Sequence, residues 1–205
     1  MKTSIIHIDA NMPQIDRIRQ VVAVLNQGGI VAVPTETVFG LACDMANAEA
    51  VKRLYTIKNR PEDKPFVIQA ASVDKVLNIL GKQDAVIENL LRNFWPGPLT
   101  TIIDSKDGKK GFRVPDSKVA LAVLAQIGRP LVVTSANLSG KSALNSPDDI
   151  NKHFNGLVDM IIDNGNRASG IESTILDCTV TPFKFLRKGA IARALEQYIM
   201  STGHL

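Results

Sequence analysis

The sequence predicts an α/β fold in a single domain over residues 1–205, with a mixed sheet flanked by helices. Three observations carry that expectation. Short β-rich apolar runs alternate with helical patterns from Ser4 to Ala70, as in α/β chains. After Met160 the strand signals follow one another, so part of the sheet is expected to be antiparallel. No repeat, low-complexity linker or domain boundary interrupts a chain of 205 residues, 45% hydrophobic and 21% charged, enough for one substantial core.

Taken in order, SIIHI (4–8) reads as a strand and 15–26 as a helix, followed by the strand GIVAVP (29–34). A helix over 48–57 and the strand FVIQA (66–70) come next. Ser72 caps a helix through Leu80, residues 84–93 form another, and Ser117 caps a third that ends near Ile127-Gly128, with serine at the N-cap and glycine past the end in their preferred places. LTTIID (99–104), GFRVP (111–115), PLVVTS (130–135), MIID (160–163), STILDCT (173–179) and FKFLR (183–187) read as strands.

Composition narrows the function classes only coarsely. No apolar run reaches the length of a membrane-spanning helix, and the N-terminus MKTSIIHIDANMPQ turns polar too early for a signal peptide. A cytoplasmic protein without membrane contact is expected. Cys43, Cys178, His7, His153 and His204 are scattered, without metal-ligand spacing, so no metal site is assigned and the cysteines read as core residues. The net charge of +4 and pI of about 9.1 suit an anionic partner but do not separate a nucleotide from RNA.

Gly140-Lys141-Ser142 resembles the end of the phosphate-binding signature G-x-x-x-x-G-K-[ST]. That signature needs a glycine five residues earlier, where this chain has Ser135, and a helix starting at the lysine. The next helix signal is Ser146-Pro147-Asp148-Asp149, and a helix begun at Lys141 would have to pass through Pro147. The P-loop reading is rejected.

Chemistry is expected in the loops at strand ends. Pro34-Thr35-Glu36-Thr37 clusters two hydroxyls and a carboxylate where a strand stops, and reads equally as a capped turn or a ligand site. Lys58-Asn59-Arg60-Pro61-Glu62-Asp63-Lys64-Pro65 holds three cations. A run of this kind is usually a solvated face, but Pro61 and Pro65 stiffen it beyond what such a face requires. Phe94-Trp95-Pro96-Gly97-Pro98 reads as a structural aromatic turn. Ser135-Ala136-Asn137 offers neutral hydrogen-bonding groups to a phosphate or carboxylate. Arg113 and Arg187 sit in or at the end of short apolar strands, where an arginine needs a partner and a bidentate clamp on an anion is a standard use. Glu172-Ser173-Thr174 brings further hydroxyls into a strand.

PTETVFGL, KNRPEDKP, FWPGPLT, RVP, TSANLSG, ESTILD and LRKG stand in an order that resembles the YrdC-like family of threonylcarbamoyl-AMP synthases, over about residues 28–189. The resemblance implies a twisted mixed sheet around a positively charged concave surface. It also implies a reaction that joins L-threonine, bicarbonate and ATP into threonylcarbamoyl-AMP and pyrophosphate for the t6A modification of tRNA. By the same resemblance, the catalytic signature falls on Lys58, Arg60, Ser135 and Asn137. Nucleotide contacts fall on Arg60, Lys64, Asn137, Asn145 and Arg187. Threonine contacts fall on Thr37, Arg113, Ser135 and Ser173, with Thr35 beside them. Lys58, Arg60 and a Mg²⁺ ion would offset charge on the triphosphate. Many members have histidine where this chain has Gln69, a departure at one substrate contact. The chain looks like the short form of the family. tRNA and downstream t6A-pathway proteins are the implied partners.

The rival reading is a tRNA- or dsRNA-binding module without catalysis, whose binding would fall steeply with salt. Against it stands the scarcity of stacking aromatics near Lys58 to Lys64, although duplex RNA can be held by shape and phosphate contacts alone. Carbamoyl-transferring relatives belong to much longer chains, and a non-catalytic regulator on the same fold would carry the same motifs.

Overall fold

Local signals place most of the elements in the computed structural model, which describes residues 2–165 and 168–203. Strand β1 (Ser4–His7), helix α1 (Ile15–Asn26), β2 (Val31–Val33) and β3 (Gly40–Asp44) lead into α2 (Ala48–Lys58) and β4 (Val67–Gln69). Helices α3 (Val73–Leu80) and α4 (Ala85–Phe94) precede the hairpin of β5 (Leu99–Ser105) and β6 (Gly108–Arg113). Then come α5 (Lys118–Ile127), β7 (Leu131–Ser135), α6 (Pro147–Phe154) and β8 (Met160–Asp163). The chain continues through β9 (Thr174–Asp177), β10 (Lys184–Arg187) and α7 (Ala192–Thr202).

The serines read as caps do cap. Ser72, Ser117 and Ser146 accept from the backbone N–H of Lys75, Ala120 and Asp149, and Gly128 closes α5 in the left-handed conformation. No helix starts at Lys141: the stretch before Pro147 is turn and loop, with Gly140 at a φ of +79°. Two elements were not anticipated, β3 and α7. GLACD in β3 is buried at every position, so it lacks the alternation that marks a half-buried strand.

The strands form one ten-stranded mixed sheet in the order β1-β8-β2-β3-β7-β4-β6-β5-β9-β10. The antiparallel part lies only partly where expected. β9 and β10 pair antiparallel, but β8 runs parallel to β1 and β2, and β3 and β7 make an antiparallel centre. Strand succession in sequence does not fix pairing, because β8 inserts between two strands from the start of the chain.

Side-chain alternation then assigns the faces. Val31, Val33, Leu131, Val133 and Ile162 pack under α1 and α5, while Ala32, Leu41, Val132 and Ile161 pack with Leu54 and with Ile150 and Phe154 of α6. In the other half, Ile68, Leu99, Ile103, Phe112 and Leu176 pack against α3, α4 and α7. Their sequence neighbours Val67, Gln69, Thr100, Arg113 and Ile175 necessarily point the other way, and there they line a cleft. Among the described residues no helix is long and apolar enough to cross a membrane.

Candidate active-site cleft

The cleft is about 680 Å³ including its solvent-open mouth, and its polar wall holds Thr35, Arg60, Gln69, Thr100, Arg113, Ser135, Glu172, Ser173 and Arg187. Widely separated loops converge here because β4, β6, β5 and β9 are adjacent strands.

Arg113 is buried, with 6% of its surface exposed. Its Nη2 donates to Glu36 Oε1 at 2.7 Å and to Thr37 Oγ1 at 3.0 Å, and its Nε donates to the Gly97 carbonyl at 3.2 Å. The aromatic turn at Trp95, read as purely structural, thus also orients this guanidinium. The Trp95 indole itself donates to the Leu99 carbonyl. Arg113 Nη1 has no partner among the described residues, so a buried cationic donor stays available beside the cleft. Thr35 and Thr37 are buried and bond each other at 2.9 Å, and Thr35 Oγ1 also donates to the Val38 carbonyl. Their hydroxyls shape the turn and hold Arg113.

At the opposite wall, Arg187 Nη1 pairs with Glu172 Oε2 at 2.7 Å, while Nε and Nη2 donate to the carbonyl and hydroxyl of Ser173. Ser173 Oγ also bonds Thr100 Oγ1 at 2.9 Å. Gly189 lets the LRKG end approach: a Cβ there would lie 2.2 Å from the Glu172 carbonyl oxygen. Arg60 is tied to its own loop, its Nε and Nη2 donating to the carbonyls of Lys64 and Pro65, and its guanidinium lies 5.3 Å from the centre of the Phe66 ring.

Lys58 has a different place from the one its charge suggested. It is 1% exposed, and its ammonium donates to the carbonyls of Ser135 and Asn137 and to Asn137 Oδ1. All three N–H groups are thereby engaged. The ammonium anchors the loop after β7 instead of facing the open cleft. Burial, followed by the charge of Arg60, pushes its pKa down from 10.5 to about 8. Asn137 completes the brace: Oδ1 also accepts from Ser135 Oγ, and Nδ2 donates to the carbonyls of Leu138 and Lys141. Of this group, Ser135 reaches the cleft wall.

Lys64 is exposed on the loop after Arg60, and half-buried Asn145, whose carbonyl accepts from Ala168, stands outside the cleft lining. Gln69 is 5% exposed and lines the cleft. Thr100 and Glu172 are wall residues that motif reading gave no role. Their only signal was position, one residue out of phase with the apolar positions of a strand or at a strand's start. Cys43 and Cys178 are buried free thiols pushed up to about 12 by burial, so neither is a nucleophile at neutral pH.

Among the described residues no group of three or more His, Cys, Asp or Glu could hold a metal. Glu172, the carboxylate of the cleft wall, is paired with Arg187. That donor set does not make a protein cage for Mg²⁺, an ion that commonly binds through substrate phosphates.

This architecture has known counterparts. The family model for Sua5/YciO/YrdC, described as telomere recombination, matches residues 23–189. A threonylcarbamoyl-AMP synthase of Bacillus subtilis is 32% identical over 97% of this chain and 60% of its own length. One from Halorhodospira halophila is 33% identical over 86% of this chain and 94% of its own. The crystal structure of P. abyssi Sua5 complexed with L-threonine superposes with a TM-score of 0.90 at 31% identity, covering 99% of this chain and 62% of that one. The chain therefore spans about three-fifths of the B. subtilis and P. abyssi proteins, and it belongs to the Sua5/YciO/YrdC family.

Proposed function

We propose that this protein is a threonylcarbamoyl-AMP synthase, a nucleotidyltransferase acting in the cytoplasm at the first stage of t6A modification of tRNA. The observation that carries the reading is the convergence of Arg60, Arg113, Ser135, Ser173 and Arg187 on one cleft. Synthases more than 30% identical, and a relative complexed with L-threonine, support it.

In this reading Arg113 receives the threonine carboxylate through Nη1. Its other terminal nitrogen is fixed by Glu36 and Thr37, so the donor is pre-oriented and little is lost in ordering it. The free amine of threonine adds to the bicarbonate carbon, a C–O bond there breaks, and a carbamate forms with loss of water. A carbamate oxygen then attacks the α-phosphorus of ATP, the bond to the bridging oxygen breaks, and pyrophosphate leaves with the electron pair. Arg60 and Arg187 offset the developing phosphate charge, Ser135 orients the reacting groups, and Lys58 and Asn137 hold Ser135 in place. Lys64 and Asn145 contact the nucleotide from outside the wall. A Mg²⁺ ion brought in on the triphosphate would supply further charge neutralisation beside Arg60 and Arg187.

The test is incubation with ATP, L-threonine and bicarbonate, following pyrophosphate and omitting each substrate in turn. Release that requires all three is the expected result. Salt-sensitive tRNA binding with no pyrophosphate would favour the RNA-binding reading instead.

A further inference from the structure

Tyr55 does not line the cleft, yet the basic loop that carries Arg60 is tied to it at both ends. It stands in the last turn of α2, and Asn59 ends that helix in the left-handed conformation at a φ of +47°, which asparagine tolerates better than most residues. The chain doubles back there. The Asn59 N–H donates to the Thr56 carbonyl and the Arg60 N–H to the Tyr55 carbonyl, both at 3.1 Å, the two bonds of a Schellman ending. At the far end of the loop the Tyr55 hydroxyl donates to the Lys64 carbonyl at 3.3 Å.

The ring of Tyr55 makes the third tie. It packs on Phe66 with centroids 4.1 Å apart and planes tilted by 33°. Phe66 is buried, and the Arg60 guanidinium lies 5.3 Å from its ring centre, within cation–π range. Arg60 Nε and Nη2 are taken by the carbonyls of Lys64 and Pro65. Both acceptors are neutral, so among the described residues no carboxylate offsets this charge, although Glu62 and Asp63 lie in the same loop. Arg60 lines the cleft with Nη1 unpartnered among the described residues. An arginine on a loose loop loses rotamer freedom when it meets a phosphate; one already held along an edge and over an aromatic ring loses less.

We infer that Tyr55 is a positioning residue for the nucleotide step: its ring, acting through Phe66, holds the Arg60 guanidinium ready for the triphosphate. The inference rests on the proposed function for the reaction and for the part Arg60 plays in it. The Lys64 carbonyl already accepts from Arg60 Nε at 2.7 Å, so the Tyr55 hydroxyl is dispensable and the ring is not. Tyr55 also packs on the apolar cluster that includes Phe66 and Leu54, so losing the ring lowers stability as well, and positioning has to be separated from that effect.

Pyrophosphate release and ATP binding by calorimetry are measured in the parent, Tyr55→Phe, Tyr55→Leu, Arg60→Ala and the Tyr55→Leu/Arg60→Ala double variant. Thermal melting checks folding, and Tyr55→Met replaces Tyr55→Leu if the latter does not fold. Tyr55→Leu should lose at least about fivefold in kcat/KM for ATP while Tyr55→Phe stays within about twofold of the parent. KM for L-threonine should stay near the parent value in both, because Arg113 is held by Glu36, Thr37 and Gly97 and not by this loop. The double variant should be no worse than Arg60→Ala, since no guanidinium remains to be positioned. A folded Tyr55→Leu protein with the parent kcat/KM for ATP overturns the inference, as does a threonine KM that rises with the loss, or a double variant whose loss is the product of the two single ones. A parent that binds ATP but releases no pyrophosphate overturns the synthase reading alone, and the same cycle in ATP affinity then decides the role of Tyr55. A parent that binds no ATP overturns both.

Discussion

Lys58 shows how a charged side chain in a basic run can act as structure. Its three donors hold the loop carrying Ser135 and Asn137, and a neutral amine has only two N–H groups to give. Burial holds its pKa at about 8, so the ammonium predominates below that pH and the neutral amine above it. The Asn137 side-chain amide resonance should therefore titrate with a midpoint near pH 8 in NMR spectra. A flat trace from pH 6.5 to 9.5 would contradict the brace. Arg60 keeps Nη1 without a protein partner among the described residues, and Arg60→Ala should lower pyrophosphate release at least tenfold, about 1.4 kcal/mol of transition-state stabilisation. Near-normal turnover would remove the loop from the nucleotide site. Lys141, exposed beyond the brace, should tolerate Lys141→Ala within a fewfold of parent activity; collapse of activity would reopen the P-loop reading.

At the level of elements, the site depends on close backbone approaches as much as on side chains. The LRKG end lies against the start of β9, with the N–H of Ala190 donating to the Glu172 carbonyl and that of Gly189 to Thr174 Oγ1. A methyl group at Gly189 would meet the backbone of Glu172 and Ser173 at 2.2 and 2.6 Å, and backbone cannot rotate away as a flexible side chain can. Gly189→Ala should cost about 1–3 kcal/mol and lower pyrophosphate release at least tenfold, because Arg187 and Ser173 separate. Thermal melting and turnover measured on the same preparation check this; a variant unchanged in both would show that the segment can shift without consequence. The same packing explains a limit of motif reading. Glycine in LRKG was visible, but that it serves a contact with residues 172–173 is a fact of tertiary proximity.

Across the whole molecule, one sheet joins apolar clusters that lie on different faces and halves, Leu54 belonging to one and Leu90 to another. Both side chains are at most 1% exposed, and Leu54→Ala and Leu90→Ala should each cost about 2–5 kcal/mol. If residues 1–205 fold as a single cooperative unit, each substitution lowers the same calorimetric transition; two separately shifting transitions would divide the chain into independent halves. The sequence by itself determined the helix starts at Ser72, Ser117 and Ser146, most of the strands and the absence of a P-loop, because caps, alternation and proline act over a few neighbouring residues. It also marked Arg60 in a proline-stiffened basic loop and Arg113, Ser135, Ser173 and Arg187 in or beside short strands, since a guanidinium or hydroxyl in such a place carries its chemistry in its residue type. Only the tertiary structure decided that Lys58 faces inward, that Thr35 and Thr37 are committed to Arg113 and Val38, and that β8 lies between β1 and β2. It alone placed Gln69 on the wall of the cleft. Hydrogen-bond satisfaction is set by partners tens of residues away along the chain, and no local pattern encodes which donors remain free.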